Sequence, residues 1–299
     1  MSNIDFIHEE KAADIGNFLV GRLLPFRQKR NIGPFVFIDH MGPVTLDPYQ
    51  NLDVGPHPHV GLSTITYLFE GSIMHRDSLG NEMEIKPGAV NWMTAGKGVT
   101  HSERTPEYLR TKDKSLHGLQ IWVAMPKELE NSAPSFHHID ANQLPSWEEN
   151  GVHFRLIAGE FDDKTSSVPV CSKLYMIEVN VEKDTLIDFR DKLYGESGLY
   201  ILDGMVRIDG NEFGPKQILI TKEAHLCIFE VLAGSIVYIF GGEPFPEERF
   251  IRWNFVSSSK ETLDQAEDDW RNHRFSKVYN DEEDYVPMPV YLSLIHISE

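Results

Sequence analysis

The chain has 299 residues, of which 41% are hydrophobic and 25% charged, an ordinary globular composition that can fill two mid-sized hydrophobic cores. Its formal net charge of -18 argues against direct binding to nucleic acid, which normally requires a basic face. Cys171 and Cys227 lie in apolar, strand-like contexts, which indicates a reducing compartment rather than a disulfide framework.

The two ends of the chain bear on localisation. The first residues contain no apolar core of signal-peptide length, and no apolar run reaches the ~18 residues that would span a bilayer. We therefore expect a cytoplasmic protein that does not enter a membrane. Residues 291–299 follow a proline-punctuated segment and carry no turn or cap signal, so we expect a non-native or disordered tail there.

Short strands are predicted between residues 35 and 123, because apolar or alternating segments recur there between Gly-rich turns. The predicted strands are 35–38, 63–69, 73–76, 89–93 and 119–123. Short strands without intervening helices predict an antiparallel sandwich or barrel. The polar stretch that follows, up to residue 150, is typical of a connector.

The same rhythm restarts after the connector and predicts a second barrel. Its predicted strands are 154–158, 174–181, 199–202, 205–208, 217–220, 227–232 and 236–240. Asp203-Gly204 between two apolar runs indicates a two-residue hairpin, and Glu70-Gly71 holds a similar position in the first half. We therefore expect an all-β protein with a duplicated barrel, divided into domains 1–140 and 141–290.

One amphipathic helix is predicted near the end of the chain. Residues 258–261 match a capping box, and Leu263, Ala266 and Trp270 recur at helical spacing. We expect this apolar stripe to pack onto the second barrel.

Two triplets, His57-Pro58-His59 and His101-Ser102-Glu103, predict a metal site in the first barrel only. In a strand, side chains at i and i+2 point to the same face, so each triplet can supply two ligands from neighbouring strands. Prolines beside His57 restrict the backbone to extended conformations. Three imidazoles and one carboxylate suit iron, manganese, nickel, copper, cobalt or zinc better than magnesium or calcium.

The other polar candidates are expected to have structural roles. We expect His75 to be an exposed strand residue, and the pair at 137–138 to lie on the surface of the connector. His117 and Gln120 could line the metal cavity, but a hydrogen-bonding role is favoured for both. Asp39 is expected to form a turn or to contact a ligand rather than to bind metal.

Two large aromatic side chains lie on predicted strands of the first barrel. Phe37 and Trp92 are expected in the hydrophobic core rather than in a pocket wall.

Several motifs resemble the pirin family of bicupins over nearly the whole chain. The amino-terminal half of the family is matched by GPHPH (55–59), TITYLFEG (64–71), HRDSLG (75–80) and WMTAGKGVTHSE (92–103). Its carboxy-terminal half is matched by GGEP (241–244) and WNFVSSSKE (253–261).

The resemblance implies a double-stranded β-helix (cupin) barrel in each half, and a metal, usually iron, held by residues matching His57, His59, His101 and Glu103. Members of the family are described as quercetin 2,3-dioxygenases or, in eukaryotic nuclei, as iron-dependent transcriptional cofactors. The chain departs from the broader cupin pattern where Ser63 or Thr64 replaces a glutamate ligand, which leaves Glu103 as the only evident carboxylate ligand.

These expectations together predict an Fe(II)-dependent dioxygenase that opens a flavonol such as quercetin with O2. Glu103 is the expected catalytic base, which removes the 3-hydroxyl proton. Small-molecule substrate and O2 are the expected partners, and two barrels in one chain favour a monomer. The alternatives are an iron-dependent regulatory protein that acts through protein partners, an enzyme for another oxygen-rich metabolite, and a metal-free structural bicupin.

Overall fold

The computed structural model describes residues 4–15, 18–221, 228–282 and 284–289. The strands of the first half are β1 (Ile4–Glu9), β2 (Lys11–Asp14), β3 (Leu19–Leu24), β4 (Phe35–Leu46), β5 (Val54–His59), β6 (Leu62–Glu70), β7 (Ile73–Asp77), β8 (Glu82–Ile85), β9 (Val90–Thr94), β10 (Val99–Arg104), β11 (Lys114–Ala124), β12 (Ser135–Ile139) and β13 (Ser146–Glu149). Three short 3-10 helices cover Glu107–Leu109, Lys127–Leu129 and Ala141–Gln143.

The second half continues the same architecture and ends in the one α-helix among the described residues. Its strands are β14 (Val152–Phe161), β15 (Lys164–Thr165), β16 (Leu174–Val181), β17 (Thr185–Asp188), β18 (Glu196–Asp203), β19 (Val206–Ile208), β20 (Asn211–Phe213), β21 (Gln217–Thr221), β22 (Ile228–Val231), β23 (Ile236–Gly242), β24 (Phe250–Arg252) and β25 (Phe255–Ser257). The helix, α1, spans Lys260–Arg271. No helix in the described ranges is long and apolar enough to cross a bilayer.

Each half forms a barrel from two antiparallel sheets. The first barrel has a seven-stranded sheet in the order β12-β9-β6-β11-β4-β3-β2 and a four-stranded sheet in the order β5-β10-β7-β8. The second barrel has β1-β21-β18-β23-β16-β14-β13, with β15 on β14, and β17-β22-β19-β20. The predicted all-β fold with two tandem barrels is confirmed.

The turns after β6 and β18 carry the chain from one sheet of a barrel to the other. The expected hairpin at Asp203-Gly204 is wrong, because β18 pairs with β21 and β23 whereas β19 pairs with β20 and β22. Gly204 and Gly71 have φ values of 78° and 87°, a conformation that glycine adopts without strain. The two turns hold equivalent positions, as expected for duplicated barrels.

The two barrels share a hydrophobic core, and the first strand of the chain belongs to the second barrel. The largest buried cluster joins Ile65 and Trp92 of the first barrel to Tyr200 and Phe240 of the second. The first strand, β1, pairs with β21 and thereby extends the large sheet of the second barrel. The domain boundary at residue 140 stays a prediction.

The helix α1 packs in a different place from the one expected. Its buried residues Leu263, Ala266 and Trp270 contact Val60, which follows β5, and Phe255 of β25. The expectation that the stripe covers the second barrel is therefore wrong, because β25 carries the helix back to the first barrel through a parallel bridge between Val60 and Phe255. The helix begins after Ser259, whose side chain accepts a hydrogen bond from the Thr262 amide.

The segment after α1 returns across the first barrel. The Val286 amide donates to the Pro56 carbonyl at 2.8 Å, and the Trp270 indole donates to the Val286 carbonyl at 3.0 Å. Arg104 Nε also donates to the Asp281 carboxylate at 2.8 Å. These contacts hold the carboxy-terminal segment beside β5.

The remaining predictions about single residues have mixed outcomes. Trp92 is fully buried, as expected. Cys171 is a half-buried free thiol. Cys227 and the expected tail at 291–299 lie outside the described residues.

Candidate metal centre

The two histidine-bearing triplets lie on adjacent strands of the small sheet. In the pairing of β5 with β10, His101 stands opposite His57 and Val99 stands opposite His59. The register shifts between His101 and Glu103, where Glu103 pairs with Val54. The i, i+2 spacing therefore brings side chains of both strands to one face, as the sequence predicts.

Three of the predicted ligands converge on one point. One ring nitrogen each of His57, His59 and His101 lies within 4.8 Å of the other two. His59 Nε2 and His101 Nε2 are 3.1 Å apart, and all three residues are buried. It is the one cluster of at least three ligand side chains among the described residues that could hold a metal ion.

The protein orients two of these rings through backbone carbonyls. His57 Nδ1 donates to the Gly55 carbonyl at 2.9 Å, and His59 Nδ1 donates to the Asn254 carbonyl at 3.2 Å. A carbonyl oxygen only accepts, so both rings carry their proton on Nδ1 and keep the Nε2 lone pair for a ligand bond. Asn254 is in the other half of the chain, so the carboxy-terminal region completes the site.

The third ring is oriented by two side chains that sequence reasoning missed. His101 Nδ1 lies 3.4 Å from His75 Nδ1, and His75 Nε2 lies 3.2 Å from the Asp77 carboxylate. The carboxylate also accepts from the amides of Leu79 and Asn81, which fixes its position. Proton donation then runs from His101 to His75 to Asp77 and leaves His101 Nε2 unprotonated.

The expectation that His75 is exposed is wrong, since the residue is only 3% exposed. β10 pairs with β7 on one side, and Phe136 from β12 stacks on the His75 ring at 4.3 Å. A signal was present in the sequence, because His75 and Asp77 are spaced i, i+2 and so lie on one face of their strand.

Burial keeps the three rings neutral at physiological pH. Desolvation lowers the pKa of His57 to about 4 and lowers the pKa values of His59 and His101 well below the ordinary value. Neighbouring histidines lower the pKa of His59 and His101 further. Neutral imidazole is the form that binds metal, so the cluster needs no deprotonation before binding.

Glu103 lines the same cavity as His57 and His59 but lies outside the group of three close nitrogens. Its Oε1 accepts a hydrogen bond from Thr66 Oγ1 at 3.2 Å. Desolvation raises the pKa of its carboxyl above the ordinary value, although Thr66 and His75 act in the other direction. The role of Glu103 as a fourth ligand stays a prediction.

The donor set fits a transition metal better than a hard oxygen-seeking ion. Three neutral imidazole nitrogens that face one point are the ligands that iron, nickel, copper and zinc prefer. Every ring is held by a hydrogen bond on its other nitrogen, which is the usual arrangement around a bound metal.

A cavity of about 500 Å³ opens beside the histidines. Phe37, Trp122 and Gln120 line it from the large sheet, and Trp253 and Val286 line it from the carboxy-terminal region. The expectation that Phe37 belongs to the core is therefore wrong, because its face of β4 points into the cavity.

The other candidate histidines lie away from this cavity. His117 Nε2 lies 2.8 Å from His40 Nε2, and His40 Nδ1 lies 2.9 Å from the Glu10 carboxylate, so His117 has the hydrogen-bonding role that was favoured. His137 is exposed, whereas His138 is half-buried and its Nδ1 lies 2.7 Å from Asn91 Oδ1.

Comparison with known proteins agrees with this geometry. Residues 17–123 match the model of the family described as Pirin, and residues 176–276 match the Pirin C-terminal cupin domain. The chain belongs to the pirin family. A pirin-like protein of Caulobacter vibrioides is 46% identical over 289 residues, which are 96% of this chain and 99% of that protein.

Solved structures of related proteins have the same fold. A crystal structure of a quercetin 2,3-dioxygenase from Acinetobacter baumannii matches with a TM-score of 0.85 and 35% identity, over 95% of each chain. The structure of the bacterial pirin YhhW from Escherichia coli in complex with nickel(II) matches with a TM-score of 0.63 and 20% identity, over 80% of this chain and 99% of that one. At that identity the second match supports the fold alone. The family and the histidine cluster together indicate a metal-binding cupin of the dioxygenase type.

Proposed function

We propose that this pirin is an Fe(II)-dependent dioxygenase that opens a flavonol such as quercetin with O2. The observation that carries the proposal is the buried cluster of His57, His59 and His101 at the end of a cavity of about 500 Å³. The similarity to a quercetin 2,3-dioxygenase over 95% of the chain supports the substrate class.

The residues that would hold the metal are the three histidines and Glu103. A bound divalent metal would supply Lewis acidity and a one-electron redox couple beside the substrate. The chain contributes the orientation of its ligands, since Gly55, Asn254 and the His75–Asp77 pair fix which ring nitrogen is free.

Glu103 is the proposed base for the 3-hydroxyl proton of the flavonol. It faces the cavity, and its raised pKa makes its carboxylate a better proton acceptor than an exposed glutamate. Thr66 donates to Oε1 and so holds the carboxylate in place.

The cavity walls exclude water from the reacting atoms. Its lining is mainly apolar, with Phe37, Trp122 and Trp253 as aromatic walls and Val286 on the carboxy-terminal side. A flat aromatic molecule fits such a cavity by stacking, and exclusion of water strengthens the electrostatic contacts at Glu103.

The test is to reconstitute the protein with Fe(II) and to follow the loss of quercetin absorbance under air. We expect turnover well above that of free Fe(II), and none above it for the His101→Ala variant. If the wild-type protein is shown to contain metal and still does not exceed free Fe(II), the flavonol proposal is refuted.

We further propose that the protein acts as a cytoplasmic monomer, with its domain boundary near residue 140. Two barrels that share one core within a single chain support the monomer. Size-exclusion chromatography with light scattering gives the mass directly, and a dimer would contradict this part of the proposal.

A further inference from the structure

We propose that Arg22 and Asp39, together with the aromatic wall of Phe37 and Trp122, form a subsite that recognises the hydroxyl groups of the substrate ring remote from the metal centre. This inference rests on the proposed function, since it names how the same cavity selects among flavonols. Four observations carry it: the strand register, the aromatic contacts, the chemistry of the ion pair and its burial.

The strand register places a polar row across the floor of the cavity. Arg22 of β3 stands opposite Asp39 of β4, Asp39 stands opposite Gln120 of β11, and Gln120 stands opposite Thr66 of β6. Directly opposed residues share one face of a sheet, so this row runs along the inner face. Thr66 then bonds to Glu103, which ties one end of the row to the candidate metal centre.

An aromatic wall runs beside this row in the same direction. The ring of His59 lies 5.2 Å from that of Trp122, which stacks on Phe37 with centroids 4.0 Å apart and planes at 15°. The Arg22 guanidinium lies 4.5 Å over the Phe37 ring. The wall therefore begins at a predicted metal ligand and ends at the ion pair, which suits a flat, extended aromatic ligand.

The ion pair has both a donor and an acceptor to offer. Arg22 Nε and Nη2 each donate to the Asp39 carboxylate at 2.8 Å, which leaves the Nη1 donors for a ligand. Each carboxylate oxygen has a second lone pair, so Asp39 can accept from a ligand hydroxyl. Because the pair is neutral as a whole, it suits hydroxyl groups that both donate and accept, rather than a fully charged anion.

Burial of the Asp39 carboxylate is costly if the pair serves only to hold two strands together. Asp39 is 3% exposed, whereas the Arg22 side chain is 31% exposed, and desolvation raises the pKa of the Asp39 carboxyl even with Arg22 beside it. Burial of a paired charge seldom adds stability over well-packed apolar side chains. Its position in the lining of an otherwise mainly apolar cavity agrees with a role in recognition.

The experiment compares two ligands by anaerobic fluorescence titration, so that binding is measured without turnover. Quercetin carries hydroxyl groups on its outer rings, whereas 3-hydroxyflavone keeps the 3-hydroxyl and 4-carbonyl groups but lacks the others. The variants are Arg22→Met, which keeps the apolar stem over Phe37, and Asp39→Asn, which keeps the shape. Arg207→Met, in an exposed pair with Glu212 on the second barrel, is the matched control.

We expect the wild-type protein to bind quercetin more tightly than 3-hydroxyflavone. Each pocket variant should lose about tenfold in affinity for quercetin and little for 3-hydroxyflavone, as expected for one lost hydrogen bond to a charged group. The control variant should bind both ligands as the wild type does. Folding of each variant is checked by circular dichroism, and the two pocket variants test the pair separately.

The outcomes separate the subsite from the reaction. Equal losses for both ligands, no loss in either folded variant, or no binding to the wild-type protein would overturn the subsite. If the variants lose discrimination while the wild-type protein binds quercetin without turnover, the subsite stands and the dioxygenase proposal fails. If turnover occurs and the variants discriminate as the wild type does, the reaction stands and the subsite fails.

Discussion

Replacement of His75 by Phe is expected to weaken metal binding although His75 is not itself a predicted ligand. In the metal-free variant, His101 lacks the acceptor for Nδ1 and can instead carry its proton on Nε2 and donate it to His59 Nε2, 3.1 Å away. Metal binding needs the Nε2 lone pair, so in the variant the proton must return to Nδ1, where the wild-type protein has His75 as the acceptor at 3.4 Å. Without that acceptor the metal-bound state holds a buried, unpaired N–H group.

The expected loss in metal affinity follows from the burial of His101. His101 is 1% exposed, so water does not replace the lost acceptor, and an unsatisfied buried donor costs about 1–3 kcal/mol. This corresponds to a loss in metal affinity of roughly tenfold to a hundredfold, which is the range typical for residues that orient a metal ligand. Phe keeps the stacking on Phe136, so we expect the variant to fold.

The assay is competition with a chromogenic chelator for Fe(II), with Ni(II) as an air-stable second metal. His153→Phe, at an exposed histidine of the second barrel, is the matched control and should bind metal as the wild type does. A folded His75→Phe protein with the wild-type dissociation constant would refute the proposed orientation of His101.

Three further predictions concern the base, the pH dependence and the backbone. Glu103→Gln should lower kcat for quercetin on the order of 100-fold, as expected for loss of a general base. Steady-state kinetics with the rate expressed per equivalent of bound metal would measure this, because Glu103 is also a proposed metal ligand. Burial and the neighbouring His40 lower the pKa of His117 to about 4 in the folded protein, from the ordinary value of 6.5. As the pH falls below 6.5, this histidine therefore takes up a proton in the unfolded chain but not in the folded one. The free energy of unfolding should therefore decrease as the pH is lowered from about 6.5 to 4. Urea titrations at several pH values should show a shallower decrease for His117→Gln than for the wild-type protein, and an equal dependence on pH would contradict the assignment. Gly61→Ala should destabilise the fold by about 2 kcal/mol or more, because φ is +69° and a Cβ would lie 1.9 Å from the Val256 carbonyl oxygen; an unchanged melting temperature would contradict this.

Local patterns were enough to predict most strands and the histidine cluster. The predicted strand at 174–181 coincides with β16, because apolar residues bounded by polar turns leave few alternatives. The clustering of His57, His59 and His101 was also predictable, since i, i+2 spacing depends only on strand geometry.

Features that depend on distant parts of the chain could not be predicted in this way. The amphipathic stripe of α1 indicates that one face is buried but not which surface covers it, and the structure places it against Val60. The burial of His75 depends on β10 and on Phe136, and the orientation of His59 depends on the Asn254 carbonyl. Pairing across such long sequence separations carries no local signal.

Elemental analysis of protein purified without added metal tests the central claim most directly. We predict about one equivalent of a transition metal, chiefly iron, in the wild-type protein, and loss of this stoichiometric metal in a folded His101→Ala variant. A folded His101→Ala protein that retains one equivalent of metal would contradict the assignment of this centre.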